Sequence, residues 1–336
     1  MTTSDPRASR RRRPRPALPS AVSWRDGVHL VGSAIWCDAR RARAVGFASS
    51  ADALGRPGNG QLIASGETLA LLGAGRDAHL AAPFGRPFTL GTVRLELVPS
   101  GHGRGGAALA AELGDRHVFY GGAANPAGGG RGGPGQLRPC DTLVLVVPWG
   151  EPHHRFPPPA EATRQVVAAC ADRVGDAVAV VLVDDALAGL ELAGLLHDHG
   201  VAVAAHRAIV DGARRLTEAG LDAPPLRRAV ARHRALVWPL ADRARLPAAL
   251  RGLPAITVLA SGLACEPGAR ARLGADRAVA WSLSGDRDAL ADLIGSSSAT
   301  DVVLVGAGAE ALAAAIGPRA RVLGPPRQMT LFAAVP

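Results

Sequence analysis

The chain has 336 residues and is 48% hydrophobic, enough to bury a large core and to divide into two domains. No run of about 18 apolar residues occurs, which excludes a membrane-spanning helix, and the aromatic fraction of 4% beside abundant alanine and glycine favours a tightly layered α/β protein. The net charge of +9 comes from 38 basic residues that are all arginine, so the charge alone does not indicate a nucleic-acid partner.

The segment Met1 to Pro16 holds Arg7, Arg10, Arg11, Arg12, Arg13 and Arg15 against Asp5, so six charges against one give it +5 of the +9. No apolar segment follows that could serve as a secretory signal. Residues 1–20 are read as a solvated arm, either a solubilising tail or a non-specific phosphate-binding arm through Arg10, Arg11, Arg12, Arg13 and Arg15. Cys37, Cys140, Cys170 and Cys265 form no C-x-x-C pair, which argues against a zinc ribbon and a disulfide framework and fits a reducing cytoplasm.

His29 to Ser33 and Ile35 to Arg40 lead through Val45-Gly46-Phe47 into Ala48-Ser49-Ser50-Ala51-Asp52-Ala53. The spacing then predicts a strand and helix over Gln61 to Leu72, and single strands over Phe88 to Val98 and Arg116 to Tyr120. The glycine-rich stretch Gly128 to Gly135 lacks the G-K-[ST] ending of a phosphate loop and is read as a mobile loop. An apolar strand follows over Thr142 to Val147. The adjacent pair His153-His154 is read as a surface turn whose side chains diverge.

From Ala160 to Glu266, helix and strand alternate. Helices are expected over Glu161 to Arg173, Ala186 to Asp198, Ile209 to Ala219 and Ala244 to Leu250. Strands are expected over Val178 to Val183, Val201 to Ala205, Ala235 to Pro239 and Ala255 to Ala260, which together call for a parallel sheet. His197 and His199 stand about 200° apart on their helix and should both face solvent. Strand Asp301 to Val305 opens into Gly306-Ala307-Gly308, a G-x-G-x-x-A step that on its own suggests a dinucleotide site. No βαβ unit and no acidic partner follow it at the required distance.

Taken in order, these segments resemble the β-CASP branch of the metallo-β-lactamase superfamily, which includes DNA exonucleases associated with bacterial ligases and mRNA 3′-end processing factors. The resemblance runs from Val28 to Phe332. It implies an α/β fold in which a metallo-β-lactamase αββα sandwich carries an inserted β-CASP parallel α/β domain. The implied division is a first core part over 25–158, an insert over 159–266, a return to the core over 267–324 and a tail over 325–336.

The family holds two zinc ions through H-x-H-x-D-H and partner motifs, and the metals activate water against a phosphodiester. Here Ala48, Ser50 and Ala53 take the three histidine places and Asp52 remains. His102 is retained in a loop that resembles G-H-x-x-G-S. Ala123 replaces the bridging aspartate of T-G-D, and Val146 stands at an acidic position. Leu187 and Ala188 replace a phosphate-touching Gly-Lys step, Asp286 replaces a histidine, and Gly306 replaces the histidine of an H-G step. Asp38, whose equivalent orients the metal site, persists.

Two zinc ions are therefore not expected to be held, and no catalytic or metal site is expected beyond the remnants Asp52, His102 and Asp286. The resemblance points to a non-hydrolytic protein that binds DNA, RNA or a repair partner, with no membrane association. The alternative is an active hydrolase holding a reduced metal site through those three residues, and a weaker one is nucleotide binding at Gly306 and Gly308. Finally, Gln328-Met329-Thr330-Leu331-Phe332 resembles the pentapeptide by which replication and repair proteins dock on the DNA sliding clamp. Gln328 would set the register, and Leu331 and Phe332 would enter an apolar groove.

Overall fold

The computed structural model describes residues 20–53, 58–75, 78–172, 177–228, 234–250 and 252–325. The arm arginines Arg10, Arg11, Arg12, Arg13 and Arg15 and the tail residues Gln328, Leu331 and Phe332 lie outside the described residues.

The first sheet is built from β1 (Val22–Trp24), β2 (Val28–Leu30), β3 (Ile35–Cys37), β4 (Val45–Phe47), β5 (Gln61–Ala64) and, after helix α1 (Gly66–Leu72), β6 (Leu80–Ala81), side by side in that order. Its β1 to β3 pairings are antiparallel and its β3 to β6 pairings parallel. Helix α1 begins where Ser65 accepts the Thr68 N–H at 3.1 Å and ends at Gly73, whose φ of 67° suits a residue without a Cβ.

The second sheet collects β7 (Phe88–Leu90), β8 (Val93–Pro99), β9 (Ala107–Leu113), β10 (Arg116–Gly122) and β11 (Thr142–Val146). The third sheet follows in the chain. It interleaves β12 (Val178–Val183), β13 (Val203–Ala205), β14 (Ala235–Pro239), β15 (Ala255–Ala260) and β16 (Arg277–Val279) with helices α2 (Pro159–Ala171), α3 (Ala186–Asp198), α4 (Arg207–Glu218) and α5 (Ala269–Arg272). The chain then returns through α6 (Arg287–Ser296), β17 (Asp301–Val305), α7 (Ala309–Ile316) and β18 (Ala320–Val322), and β17 and β18 complete the second sheet beside β11.

The first two sheets face one another. Leu30, Ile35, Phe47 and Ile63 from the first meet Leu97, Leu109, Tyr120 and Val144 from the second in one buried cluster. The outer face of the first sheet packs on α1 through Leu62, Ala64 and Leu69. The outer face of the second packs on α6 and α7 through Leu145, Leu304, Leu290, Ile294 and Leu312. The order of layers is helix, sheet, sheet, helix.

The third sheet is parallel throughout, in the order β13-β14-β12-β15-β16. Its central strand β12 reads Val-Ala-Val-Val-Leu-Val and is buried at every position, the pattern of a strand covered on both faces. It docks on the core where Leu71 of α1 joins its helix-side cluster and the Arg215 guanidinium of α4 donates to the Leu71 carbonyl at 2.7 Å.

Three expectations change. Phe88 to Val98 is a hairpin and not one strand, because Gly91 takes a φ of 61° and turns the chain so that Phe88 opposes Leu95. Ala244 to Leu250 is not an α-helix but two 3₁₀ turns, Leu240–Arg245 and Ala248–Leu250, with Pro247 between them. The third sheet also does not close before residue 267, since β16 pairs with β15 through Val279.

Candidate functional site

A cavity of about 310 Å³ opens where the two core sheets and the third sheet meet. Ser50, Asp52 and Ala53 border it from the loop after β4, His102 from the loop after β8, and Ala123 and Val146 from the ends of β10 and β11. Ser50, Ala53, Ala123 and Val146, which the resemblance sets at ligand positions, thus lie around Asp52 and His102. Ala48 does not line the cavity and is fully buried against Leu62, Ala64 and Leu69.

Asp52 and His102 are bonded to one another. His102 Nε2 donates to Asp52 Oδ2 at 3.0 Å, and Nδ1 lies 3.2 Å from the Ser284 hydroxyl. Burial by itself would lower the His102 pKa, but the charge of Asp52 and the hydrogen bond between them raise it to about 9. Burial would likewise raise Asp52, and the imidazolium outweighs that and holds it at about 2. Asp52 sits at an exposed loop position with its side chain turned inward and 20% exposed, so part of this attraction is screened by water.

Asp38 has a positive φ of 47° and binds protein groups only: Oδ1 accepts the Ser49 N–H at 2.8 Å, and Oδ2 accepts the Ser49 hydroxyl at 2.6 Å and the Tyr120 hydroxyl at 2.8 Å. Burial raises its pKa, and those three donors work in the opposite direction.

Two further carboxylates, Asp184 and Asp185 at the end of β12, complete the acidic side of the cavity and were not singled out from the sequence. Asp184 accepts from the Ser261 hydroxyl, and Asp185 caps α3 by accepting the Ala188 N–H at 2.9 Å. Burial raises their pKa values to about 7 and about 6. The signal was present, since an acidic pair ends an all-apolar strand, and the carboxyl ends of parallel strands are where α/β sheets bind ligands.

The donor set does not fit the two zinc ions that the resemblance calls for. Asp52 and His102 are engaged with each other, and their neighbours Ala53, Ala123 and Val146 carry no ligand atom. Asp286 does not join them: Oδ1 caps α6 by accepting the Ala289 N–H at 2.9 Å, and Oδ2 accepts the Phe156 N–H at 2.7 Å. Among the described residues, the group of three with ligand atoms close enough to share an ion is His153, His154 and Glu266, outside this cavity.

There the expected divergence of the two histidines does not occur. A tight turn, in which the His154 N–H donates to the Glu151 carbonyl at 3.0 Å, brings both Nε2 atoms to one oxygen of Glu266 at 3.2 and 3.0 Å. His154 is 3% exposed, and its Nδ1 accepts the Glu151 N–H at 3.1 Å, which leaves its proton on the Nε2 that faces Glu266. The cluster is therefore a hydrogen-bonded clasp between the strand-side turn after β11 and the loop after β15.

The glycine-rich stretch is packed rather than loose. Gly129 N–H donates to the Gly101 carbonyl at 2.7 Å, Gly135 N–H to the Asn125 carbonyl at 3.0 Å, and Arg131 N–H to the carboxylate of Glu191. A Cβ at Gly132 would lie 2.4 Å from the Gly103 carbonyl oxygen, so the glycines allow two loops to touch and to brace His102 between them. His197 and His199 are both exposed.

Gly306 and Gly308 have a packing role. A Cβ at Gly308 would lie 2.2 Å from the Gly150 nitrogen, and one at Gly150 would lie 2.0 Å from the Gly308 carbonyl oxygen. Gly150→Ala is expected to cost about 1 to 3 kcal/mol through this overlap, read as a lower urea midpoint. An unchanged midpoint would show that the contact relaxes freely.

No family model matches the chain. Over 279 residues it is 26% identical to a probable DNA ligase of Opitutus terrae, an alignment covering 80% of this chain and 27% of that protein. The chain thus spans about a quarter of the length of that relative.

Proposed function

We propose that the chain is a catalytically silent homologue of the β-CASP metallo-β-lactamase nucleases that serves DNA processing by binding nucleic acid or a repair partner. One observation carries the reading: Ser50, Ala53, Ala123 and Val146, four of the depleted ligand positions, border a single cavity together with the retained Asp52 and His102. The helix-sheet-sheet-helix layering, with a parallel third sheet spliced in after β11, supports the same reading. On this reading the insert runs over 159–279 rather than 159–266, because β16 extends its sheet, within a core of 25–158 and 280–324. The likeness to a probable DNA ligase favours DNA over RNA.

In this reading no hydrolytic step is available, since among the described residues the group close enough to share an ion, His153, His154 and Glu266, lies outside the cavity. The fold supplies a scaffold, the arm carries Arg10, Arg11, Arg12, Arg13 and Arg15 to the phosphate backbone, and Gln328, Leu331 and Phe332 dock the tail on a sliding clamp. The four cysteines, all unpaired, suit a cytoplasmic setting.

Salt dependence tests the arm. If its net charge of five neutralises five phosphates, the log-log salt slope of duplex DNA binding is expected to be about −4.5, falling towards zero when residues 1–16 are deleted. A slope unchanged by that deletion would remove the arm from the mechanism.

A further inference from the structure

We propose that the cavity beside Asp52 binds a small organic cation, an ammonium or guanidinium carried on a short apolar body, between Asp184 and Asp185. The proposal does not rest on DNA binding. It follows from what the loss of metal ligands leaves behind: a cavity whose carboxylates remain.

Within it, Asp52 and His102 neutralise one another and Asp38 is held by three donors. Asp184 and Asp185 face the space with no ion pair to any described basic residue, and Arg40 stands exposed among the lining residues without pairing to either. A phosphate would meet repulsion here; a cation would meet two carboxylates. The other walls are Trp24, Val28, Trp149, Pro148 and Leu283, which suit an apolar body and offer aromatic rings to a positive charge. The volume of about 310 Å³ falls within the range of about 300 to 1,000 Å³ occupied by small-ligand pockets.

Ser50 is 2% exposed and borders the cavity, and its hydroxyl lies against Asp52 and helps to hold that carboxylate charged. Binding is also expected to be proton-linked. Asp184 at about 7 and Asp185 at about 6 are partly protonated near neutrality, so an arriving cation displaces protons and binds more tightly as pH rises.

The test is calorimetric titration of the full chain with agmatine, and separately with inorganic phosphate, in two buffers of different ionisation enthalpy. Agmatine is expected to bind with proton release, and phosphate not to bind. Asp184→Asn and Asp185→Asn should each weaken agmatine about tenfold, roughly 1.4 kcal/mol. Asparagine preserves the α3 cap, so Asp185→Asn is expected to stay folded, which circular dichroism checks. Heat from agmatine that is equal in the wild type and the double variant, or no heat at millimolar agmatine, would overturn the proposal. The same preparations are titrated with duplex DNA: DNA binding without agmatine binding sinks only the cation site, and agmatine binding without DNA binding sinks only the proposed function.

Discussion

Glu191→Ala is expected to destabilise the protein by about 3 to 5 kcal/mol, the range for removing one member of a buried pair. Glu191 lies on α3, is 1% exposed, accepts the backbone N–H groups of Arg104 and Arg131 and pairs with the Arg104 guanidinium at 3.6 Å. Burial raises its pKa against the pull of those partners, so the pair is not strong evidence of net stability. Removing the carboxylate is a different matter. It strands two backbone amides, leaves the Arg104 guanidinium, only 12% exposed, with Asp222 as its remaining acidic partner, and loosens the glycine-rich stretch beside the His102 loop. The expected readouts are a lower urea midpoint and new protease cuts between Gly128 and Gly135, with Glu191→Gln intermediate. A midpoint within about 0.5 kcal/mol of wild type would contradict the assignment.

The Asp52–His102 pair should give stability a distinct pH dependence. The His102 pKa is raised from 6.5 to about 9, so its share is fully present below pH 6.5 and is lost as pH rises through about 9. The Asp52 pKa is lowered from 3.8 to about 2, so its share is present above about pH 4 and is lost as pH falls through about 2. The pair therefore contributes most between about pH 4 and pH 6.5. Asp52→Asn is expected to cost about 1 to 3 kcal/mol in that window and to flatten the decline towards pH 9. Urea midpoints measured from acid to alkaline pH check both; parallel profiles for wild type and variant would show that the two residues do not act as a pair.

The fold was legible where one local rule sufficed. The all-apolar run of β12, the strand-to-helix step from β5 into α1 and the helix from Ala186 to Asp198 each carry their own signal, and the structure places them where the pattern does. Errors came where two segments meet. Nothing within Gly128 to Gly135 states that Glu191, some 60 residues later, will take an amide from it, so the stretch resembled a free linker. His153 and His154 diverge in an extended chain; they converge because a four-residue turn aims both at Glu266 from across the insert. Asp286 stands apart from the other remnants because the Ala289 and Phe156 N–H groups hold its carboxylate, partners that its place in the motif does not disclose.

The same division applies to the site. Absence of ligands at Ala53, Ala123 and Val146 is readable residue by residue. That Asp184 and Asp185 would enter the space is not, since it depends on how the third sheet docks against α1. The charge of the cavity is thus a property of packing between distant segments.

Metal content tests the central claim most directly. The protein is purified without chelator, dialysed against zinc and manganese in turn, analysed for bound metal, and then assayed on single- and double-stranded DNA. The expected result is no ion that depends on Asp52 or His102 and no cleavage above the rate of the His102→Ala variant; metal lost on changing His153 would belong to the Glu266 clasp. A near-stoichiometric ion that disappears in Asp52→Asn, together with strand cleavage, would contradict the account.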